Sequence, residues 1–274
     1  MPADPLADPL ADPSADPWHT LRAATTARIG LRRAGDAPAL REVLAFQLAH
    51  ARARDAVHAA LDTDALAAAV APHPTVTVRS RAADRATYLR RPDLGRRLDP
   101  ACRDRLTTPC DVVFVLADGL SSVAVQRHAP PLLRACLSRL SGWTIGPAVI
   151  ATQARVALGD EIGGSLGARL CAVLIGERPG LSAADSLGVY LTWQPRVGRK
   201  DSERNCISNI HGAGLSHDAA ADMLVWLMNE AARRKLTGVG LKADIGHTPT
   251  EAIAASPSQA PDGVPPDDPA VASG

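Results

Sequence analysis

The order of apolar and polar positions divides the chain into two patterned parts. Residues 19–105 are predicted to be mainly helical, whereas in 106–242 short apolar runs alternate with helical patterns. This alternation indicates an α/β fold, with an N-terminal helical region followed by a Rossmann-like parallel-sheet domain and disordered termini. The helical spacing is clearest in one stretch, where one face carries Leu40, Val43, Leu44, Gln47 and Leu48.

The elements of the second part follow from individual runs of residues. Residues 112–117 are apolar and rich in β-branched side chains between Asp111 and Asp118, which predicts a buried, parallel strand. Ser121 or Ser122 is the predicted cap of the helix that follows. The other predicted strands are 143–151, 168–175 and 186–193, and the predicted helices are 122–140, 159–166 and 216–235, the last with Ser216 as its cap.

Both ends of the chain are low in sequence complexity. Residues 1–18 hold four copies of a tetrapeptide that begins Ala-Asp-Pro, and a proline at every fourth position removes helix hydrogen bonds. Residues 243–274 are rich in proline, alanine, serine and aspartate, and bury too little apolar surface to offset their ordering entropy. Both ends are therefore predicted to be disordered. The first is an acidic arm for partner docking or solubility, or a spacer without function.

Composition narrows the class of protein. The chain has 274 residues, 46% of them hydrophobic, which suffices for one or two domains with a buried core. Its net charge of +1 argues against a dedicated nucleic-acid binder. Its five scattered cysteines, without a Cys-x-x-Cys pair, argue against a disulfide framework or a zinc site. We see no membrane-spanning run and no secretory pattern, so the expected location is the cytoplasm.

Glycine and charged residues stand where two predicted strands end. In an open α/β sheet, ligands bind beyond the carboxyl ends of the strands, so these residues predict a cofactor crevice. Segment 118–121 is either a contact for a phosphate or ribose, or an ordinary strand-to-helix turn. In segment 176–180, Glu177 either accepts hydrogen bonds from a ligand or forms an internal salt bridge with Arg178.

A cysteine and a histidine lie close together in segment 204–211. A catalytic thiolate at Cys206 would need His211 or a helix N-terminus to lower its pKa, and we favour a packed, unreactive cysteine in a cofactor pocket. His211 also stands in a pattern similar to the Asp-x-His-x-x-Gly motif of some cobalamin enzymes, whose histidine binds cobalt. Because Asn209 replaces the aspartate here, we favour a loop histidine without a metal.

An arginine-rich stretch covers residues 79–97. It could bind phosphate or an acidic partner, or it could be a solvated face that pairs with Asp84 and Asp93. The small net charge favours a protein interface or internal salt bridges over nucleic acid. We find no Walker sequence, zinc-protease motif or catalytic triad in the sequence, so we predict no catalytic residue in this chain.

Residues 19–242 resemble the small (light-chain) subunit of ethanolamine ammonia-lyase. The resemblance implies an adenosylcobalamin-dependent enzyme of large and small subunits, which converts ethanolamine to acetaldehyde and ammonia by a radical route. It also implies that the large subunit holds the substrate, while the small subunit covers the lower face of the cobalamin and its nucleotide tail. The segments that carry the resemblance are 88–97, 118–121, 176–181 and 206–211.

The same resemblance assigns residues by position. Val156, Glu177 and Cys206 would contact the cobalamin. The family keeps dimethylbenzimidazole on cobalt, which agrees with rejecting His211 as a ligand. Some relatives use the N-terminal region for packaging into a bacterial microcompartment, a role that the Ala-Asp-Pro repeats leave open here. Two other functions remain as alternatives: a stand-alone α/β nucleotide-binding or hydrolytic enzyme, and a non-catalytic assembly module that docks through its arginine-rich face.

Overall fold

The computed structural model describes residues 17–25 and 27–242. Within them a six-stranded sheet lies between two layers of helices, so the predicted α/β class is confirmed. The predicted disorder of residues 1–18 and 243–274 falls on residues outside the described part of the chain. The exceptions are Pro17 and Trp18, which the structure does describe. None of the described helices is both long and apolar enough to cross a membrane.

The first part of the fold is not purely helical, because one of its strands joins the main sheet. This strand, β3 (Thr75–Arg79), pairs in parallel with residues Ala148–Thr152, and the sequence pattern did not predict it. The division into separate domains at residue 105 stays a prediction, although β3 links the two parts. The elements of this part are α1 (His19–Ala23), β1 (Arg33–Ala34), β2 (Ala37–Pro38), α2 (Leu40–His58), α3 (Thr63–Val70), β3 (Thr75–Arg79) and α4 (Arg85–Arg90), with 3₁₀ helices at Leu94–Arg96 and Pro100–Arg105.

The second part follows the predicted alternation closely. Its elements are β4 (Val112–Ala117), α5 (Ser122–Arg139), β5 (Ala148–Thr152), α6 (Leu158–Ser165), β6 (Leu170–Gly176), β7 (Leu187–Trp193), β8 (Arg204–Ile210) and α7 (His217–Arg234). Ser121 rather than Ser122 caps α5, and Ser216 caps α7 as predicted. The strand predicted at 143–151 begins only at Ala148, since Pro147 has no backbone N–H to donate.

The sheet is mostly parallel but mixed. Its strand order is β3-β5-β4-β6-β7-β8; the first four strands are parallel, while β7 and β8 run antiparallel to their neighbours. Strand β8 was not predicted, because its asparagines and serine break the apolar pattern of a buried strand. An antiparallel strand needs no crossover helix, and no α-helix separates β6 from β7 or β7 from β8.

Strand β4 shows why the sheet is covered on both faces. All six of its side chains are buried, as expected of a central parallel strand. Because successive side chains point to opposite faces, Val112, Phe114 and Leu116 join the core under α5 and α7. Val113, Val115 and Ala117 join a second core, under α6 and the 3₁₀ helices. The polar segments that follow β4 and β6 are thereby left at the edge of both cores.

Glu161 of α6 anchors the segment that carries the 3₁₀ helices. Its buried carboxylate accepts hydrogen bonds from the Leu98 N–H at 2.9 Å and from Arg103 at 2.8 Å. Burial acts to raise the pKa of Glu161, but the hydrogen bonds from Leu98 and Arg103 outweigh it and hold this pKa below its ordinary value. The ionised form therefore contributes stability above the unfolded-state pKa, and this contribution disappears as the pH falls through the folded-state pKa.

We expect Glu161→Gln to lower the free energy of unfolding by about 1.5 to 3 kcal/mol at neutral pH, since a hydrogen bond to a charged group is lost. The loss should shrink near pH 3, where the wild-type carboxylate also takes up a proton. Urea unfolding at both pH values measures this difference. Asp36→Asn, at an exposed position, is the control and should cost little at either pH. An equal loss from Glu161→Gln at both pH values would contradict an ionic role.

Candidate functional site

A crevice of about 450 Å³ lies at the carboxyl ends of the parallel strands. Strands β4 and β6 are neighbours in the sheet, and the chain continues from them in opposite directions. From β4 it goes to β5, on the side away from β6, and from β6 it goes to β7, on the side away from β4. The crevice is therefore at a topological switch point, where open α/β sheets bind their ligands. It is lined by Tyr88, Gly119, Leu120, Arg155, Val156, Ile175, Gly176, Glu177, Arg178 and Tyr190.

Two glycines let the ends of β4 and β6 approach each other beside this crevice. Gly119 has a φ of +55°, and a Cβ there would lie 2.3 Å from the carbonyl oxygen of Gly176. A Cβ at Gly176 would lie 2.0 Å from the carbonyl oxygen of Ser121. Real Cβ atoms do not come so close to backbone oxygens, so both motifs need glycine for the shape of the site.

Asp118 holds the turn after β4 rather than facing a ligand. Its buried carboxylate accepts hydrogen bonds from the N–H groups of Gln153 at 2.8 Å and Ala154 at 2.9 Å, and Arg85 lies 3.6 Å away. Burial raises the pKa of Asp118 in spite of these partners. In segment 118–121, the part that lines the crevice is therefore Gly119 with Leu120.

Glu177 is held in place by the strands beside it. Its Oε2 atom accepts a hydrogen bond from the Ser186 hydroxyl at 2.5 Å and a longer one from the Asn209 N–H at 3.4 Å. Gly188 makes room for the other oxygen, since a Cβ there would lie 2.8 Å from Oε1. Within the described residues Glu177 forms no ion pair with Arg178, so the salt-bridge interpretation of this segment is wrong.

Cys206 reaches the crevice through Tyr190. The two residues are opposite each other in the β7–β8 ladder, so their side chains lie next to each other on the same face of the sheet. Two effects raise the pKa of Tyr190 to about 12: burial is the larger, and the nearby Cys206 is the next. Partial desolvation also raises the pKa of the Cys206 thiol, although the contact with Tyr190 acts to lower it. Val156 and Glu177 thus line the crevice directly, whereas Cys206 lies beside its tyrosine wall as an exposed free thiol, not as the packed cysteine that the sequence favoured.

His211 has both ring nitrogens in hydrogen bonds. Its Nε2 lies 2.8 Å from Asn209 Oδ1, and its Nδ1 accepts a hydrogen bond from the Ala213 N–H at 3.3 Å. Each ring nitrogen therefore already has a partner within the same loop. Across 17–25 and 27–242, no group of three or more His, Cys, Asp or Glu side chains could hold a metal ion. That His211 binds no cobalt stays a prediction, which these two hydrogen bonds support.

An aromatic–cationic cluster at the crevice was missed by the sequence analysis. The buried Tyr88 ring has the guanidinium groups of Arg155 and Arg85 at 4.3 and 4.8 Å from its centroid. Among the described residues, the buried Arg155 Nε and Arg85 Nη2 have no hydrogen-bond partner. Tyr88 and Arg155 are far apart in sequence, so no local pattern could have paired them.

Two arginines of the stretch 79–97 form ion pairs with aspartates nearby in the sequence. Arg91 lies 2.8 Å from Asp93, as the salt-bridge interpretation predicts, and Arg79 pairs with Asp99 at 2.6 Å. Asp84 instead caps α4 by accepting a hydrogen bond from the Thr87 N–H at 2.7 Å. These contacts favour a structural role for most of the stretch, with Arg85 turned toward the crevice region.

Comparison with known proteins places this chain in a family. The family model for the ethanolamine ammonia-lyase light chain matches residues 15–242. The chain is 54% identical over 235 residues to the ethanolamine ammonia-lyase small subunit of Rhodopseudomonas palustris, covering 82% of this chain and 89% of that relative. It is 52% identical over 236 residues to the small subunit of Azotobacter vinelandii, covering 82% and 87%. The chain therefore belongs to the family of ethanolamine ammonia-lyase small (light-chain) subunits, and is a subunit of a carbon–nitrogen lyase.

Proposed function

We propose that this chain covers the lower face and nucleotide tail of adenosylcobalamin, while a large subunit holds ethanolamine. The observation that carries the proposal is the crevice at the switch point, because Val156 and Glu177 both line it. Cys206 adjoins the same crevice as the neighbour of Tyr190 across the β7–β8 ladder. These three residues are the ones that the family resemblance assigns to the cofactor.

The chemistry of the crevice wall fits this cofactor. Cobalamin presents amide groups around its corrin ring and a phosphodiester in its nucleotide tail. Glu177 can accept hydrogen bonds from amides, and Arg155, with an unpartnered buried Nε, can donate to a phosphate oxygen. Val156 and Ile175 offer apolar contact for the ring edge. The crevice is open on one side, so this chain would enclose the cofactor only together with its partner.

The residues of this chain position the cofactor and take no chemical step. Adenosylcobalamin, when bound, supplies the radical chemistry, and the protein supplies binding and orientation. Ser186 and Asn209 fix the Glu177 carboxylate, so little conformational entropy is lost when it meets a ligand. Tyr190 keeps its proton at neutral pH, because its pKa is about 12, and can act as a donor at the crevice wall.

We expect Glu177→Gln to raise the half-saturating concentration of adenosylcobalamin about tenfold or more, because a charged hydrogen-bond acceptor is lost. The KM for ethanolamine should change little, since this residue does not meet the substrate. The measurement is acetaldehyde formation by the two-subunit enzyme during a cobalamin titration. Glu230→Gln, on α7 and outside the residues that line the crevice, is the matched control. An unchanged cobalamin titration for Glu177→Gln would count against the cofactor role.

Reconstitution tests the proposal as a whole. This chain, a large subunit, adenosylcobalamin and ethanolamine are combined, and each component is then omitted in turn. Acetaldehyde that forms only with both chains and the cofactor supports the proposal. Turnover by this chain alone would instead support a stand-alone enzyme. Binding of the large subunit without any effect on cofactor retention would support an assembly module.

A further inference from the structure

One face of helix α2 is apolar, and none of the residues that the structure describes covers it. Of its 19 residues only Ala56 is buried. Leu40, Leu44 and Leu48 are each four positions apart, so they form a single row along the helix. Their exposed fractions are 71%, 55% and 47%. We call these three residues the leucine row. Helices in proteins gain most of their stability by packing an apolar face, so such a row indicates a missing partner.

The leucine row leads into a groove beside α2. The groove has a volume of about 810 Å³ and lies between α2, α5 and the segment 180–185. Leu48, at the end of the row, lines it, and Arg52 lines it one helical turn farther on. The apolar surface of α2 thus continues into a concave surface with a positive charge.

The charges of the groove favour an acidic partner. Of the two acidic residues that line the groove, Asp185 is paired with Arg127 at 2.8 Å, and Asp55 lies 3.8 Å from Arg54. Arg28 lies over the Phe46 ring, with its guanidinium carbon 5.7 Å from the ring centroid. Arg52 is exposed and has no ion-pair partner in the described part of the chain. A carboxylate on the incoming surface would complement Arg52 and Arg28.

The groove and the cofactor crevice share one loop. Glu177 and Arg178, at the start of the loop after β6, line the crevice, whereas 180–185 line the groove. Ser186 ends the loop and holds the Glu177 carboxylate. A partner seated in the groove would therefore contact the loop that carries the candidate cofactor residue.

We propose that the leucine row and this groove are the docking surface for the large subunit. The part that docks there is an apolar segment flanked by carboxylates. The inference rests on the proposed function for its choice of partner. It agrees with membership in a family of small subunits, whose name implies a further chain. The apolar row supplies the buried centre of the interface, and the arginines at its end fix the register of the partner.

The test is the affinity of the full-length chain for a purified large subunit, measured by calorimetry with adenosylcobalamin present. We expect Leu44→Glu to weaken binding about 30-fold or more, since it places a charge at the centre of the interface. Val197→Glu is the matched control, because Val197 is 54% exposed and lies outside α2. Both positions are exposed, so both variants should fold, and circular dichroism checks this.

Charge reversal tests the acidic partner separately. Arg52→Glu should weaken binding about tenfold at low salt and less at high salt, because salt screens exposed charges. Arg54→Glu changes the charge by the same amount on the same helix, but Arg54 does not line the groove and lies beside Asp55. Its effect should be much smaller.

Wild-type affinity for both Leu44→Glu and Arg52→Glu would overturn the docking surface while leaving the proposed function intact. Sedimentation of the isolated chain tests a second possibility. If Leu44→Glu disrupts only self-association of this chain, the leucine row joins two copies, and the docking surface for the large subunit is again overturned. If the wild-type chain binds no large subunit, the docking surface and the proposed function both fail. Weakened docking by Leu44→Glu, with a normal cobalamin titration for Glu177→Gln, would support the surface and reject only the cofactor role.

Discussion

Replacing Arg204 by methionine should destabilise the fold by about 3 to 5 kcal/mol, the usual result when one partner of a buried ion pair is removed. Its guanidinium donates two hydrogen bonds of 2.7 Å to the two carboxylate oxygens of Asp160, and a third to Thr192 at 2.9 Å. The side chains of Arg204 and Asp160 are only 2% and 3% exposed. Without the arginine, a carboxylate would remain buried without its cation.

This ion pair matters for the site as well as for stability. Burial acts to lower the pKa of Arg204, but its hydrogen bonds with Asp160 and Asp201 raise that pKa above its ordinary value, so the guanidinium stays charged. The pair joins α6, which follows Val156, to β8, which carries Cys206. Loss of the pair would therefore loosen two of the three residues assigned to the cofactor.

Denaturant unfolding measures the effect of Arg204→Met. Arg233→Met is the control, because Arg233 pairs with Glu230 on the surface and exposed pairs contribute about 1 kcal/mol or less. The double variant Arg204→Met with Asp160→Leu should recover part of the lost stability, since no buried charge then remains. A loss from Arg204→Met no larger than that of the control would contradict this account.

Replacing Gly119 by alanine should cost about 3 kcal/mol or more. The backbone there has a φ of +55°, which costs an L-residue about 1 to 2 kcal/mol. The new methyl group would also lie 2.3 Å from the Gly176 carbonyl oxygen, and such overpacking typically costs about 1 to 3 kcal/mol. Because the ends of β4 and β6 must separate to admit it, cobalamin binding should weaken as well.

Gly167→Ala separates the two contributions. Gly167 has a similar φ of +63°, but a Cβ there would meet nothing within 4 Å. It should therefore lose only the about 1 to 2 kcal/mol of the left-handed backbone and leave the cobalamin titration unchanged. Thermal or urea unfolding of both variants gives the comparison. Equal losses would show that the close approach of the two strand ends contributes nothing to stability.

The elements that sequence predicted well depend on neighbouring residues. The β-branched run of β4 and the helix caps Ser121 and Ser216 are local patterns, and the structure confirms each of them. Glycines in segments 118–121 and 176–180 also marked the strand ends, because a backbone that must approach another closely excludes a side chain. Local chemistry thus sufficed to place the crevice at these two strand ends.

The elements that sequence missed depend on distant partners. Strand β3 is short and stands among helices, so only its pairing with β5 makes it part of the sheet. Strand β8 is half polar, and it is a strand because β7 offers it an antiparallel edge. The Arg204–Asp160 pair joins residues 44 positions apart, which no spacing rule relates.

By itself, the sequence determined the α/β class, the positions of most helices and strands, and the family resemblance, since all of these are written in local patterns and motifs. Only the tertiary structure decided that Val156 and Glu177 share one crevice, that Cys206 adjoins it through Tyr190, and that the leucine row is uncovered. The physical reason is that strand order and register bring distant residues together. These are set by the packing of the whole sheet, and no local pattern encodes them.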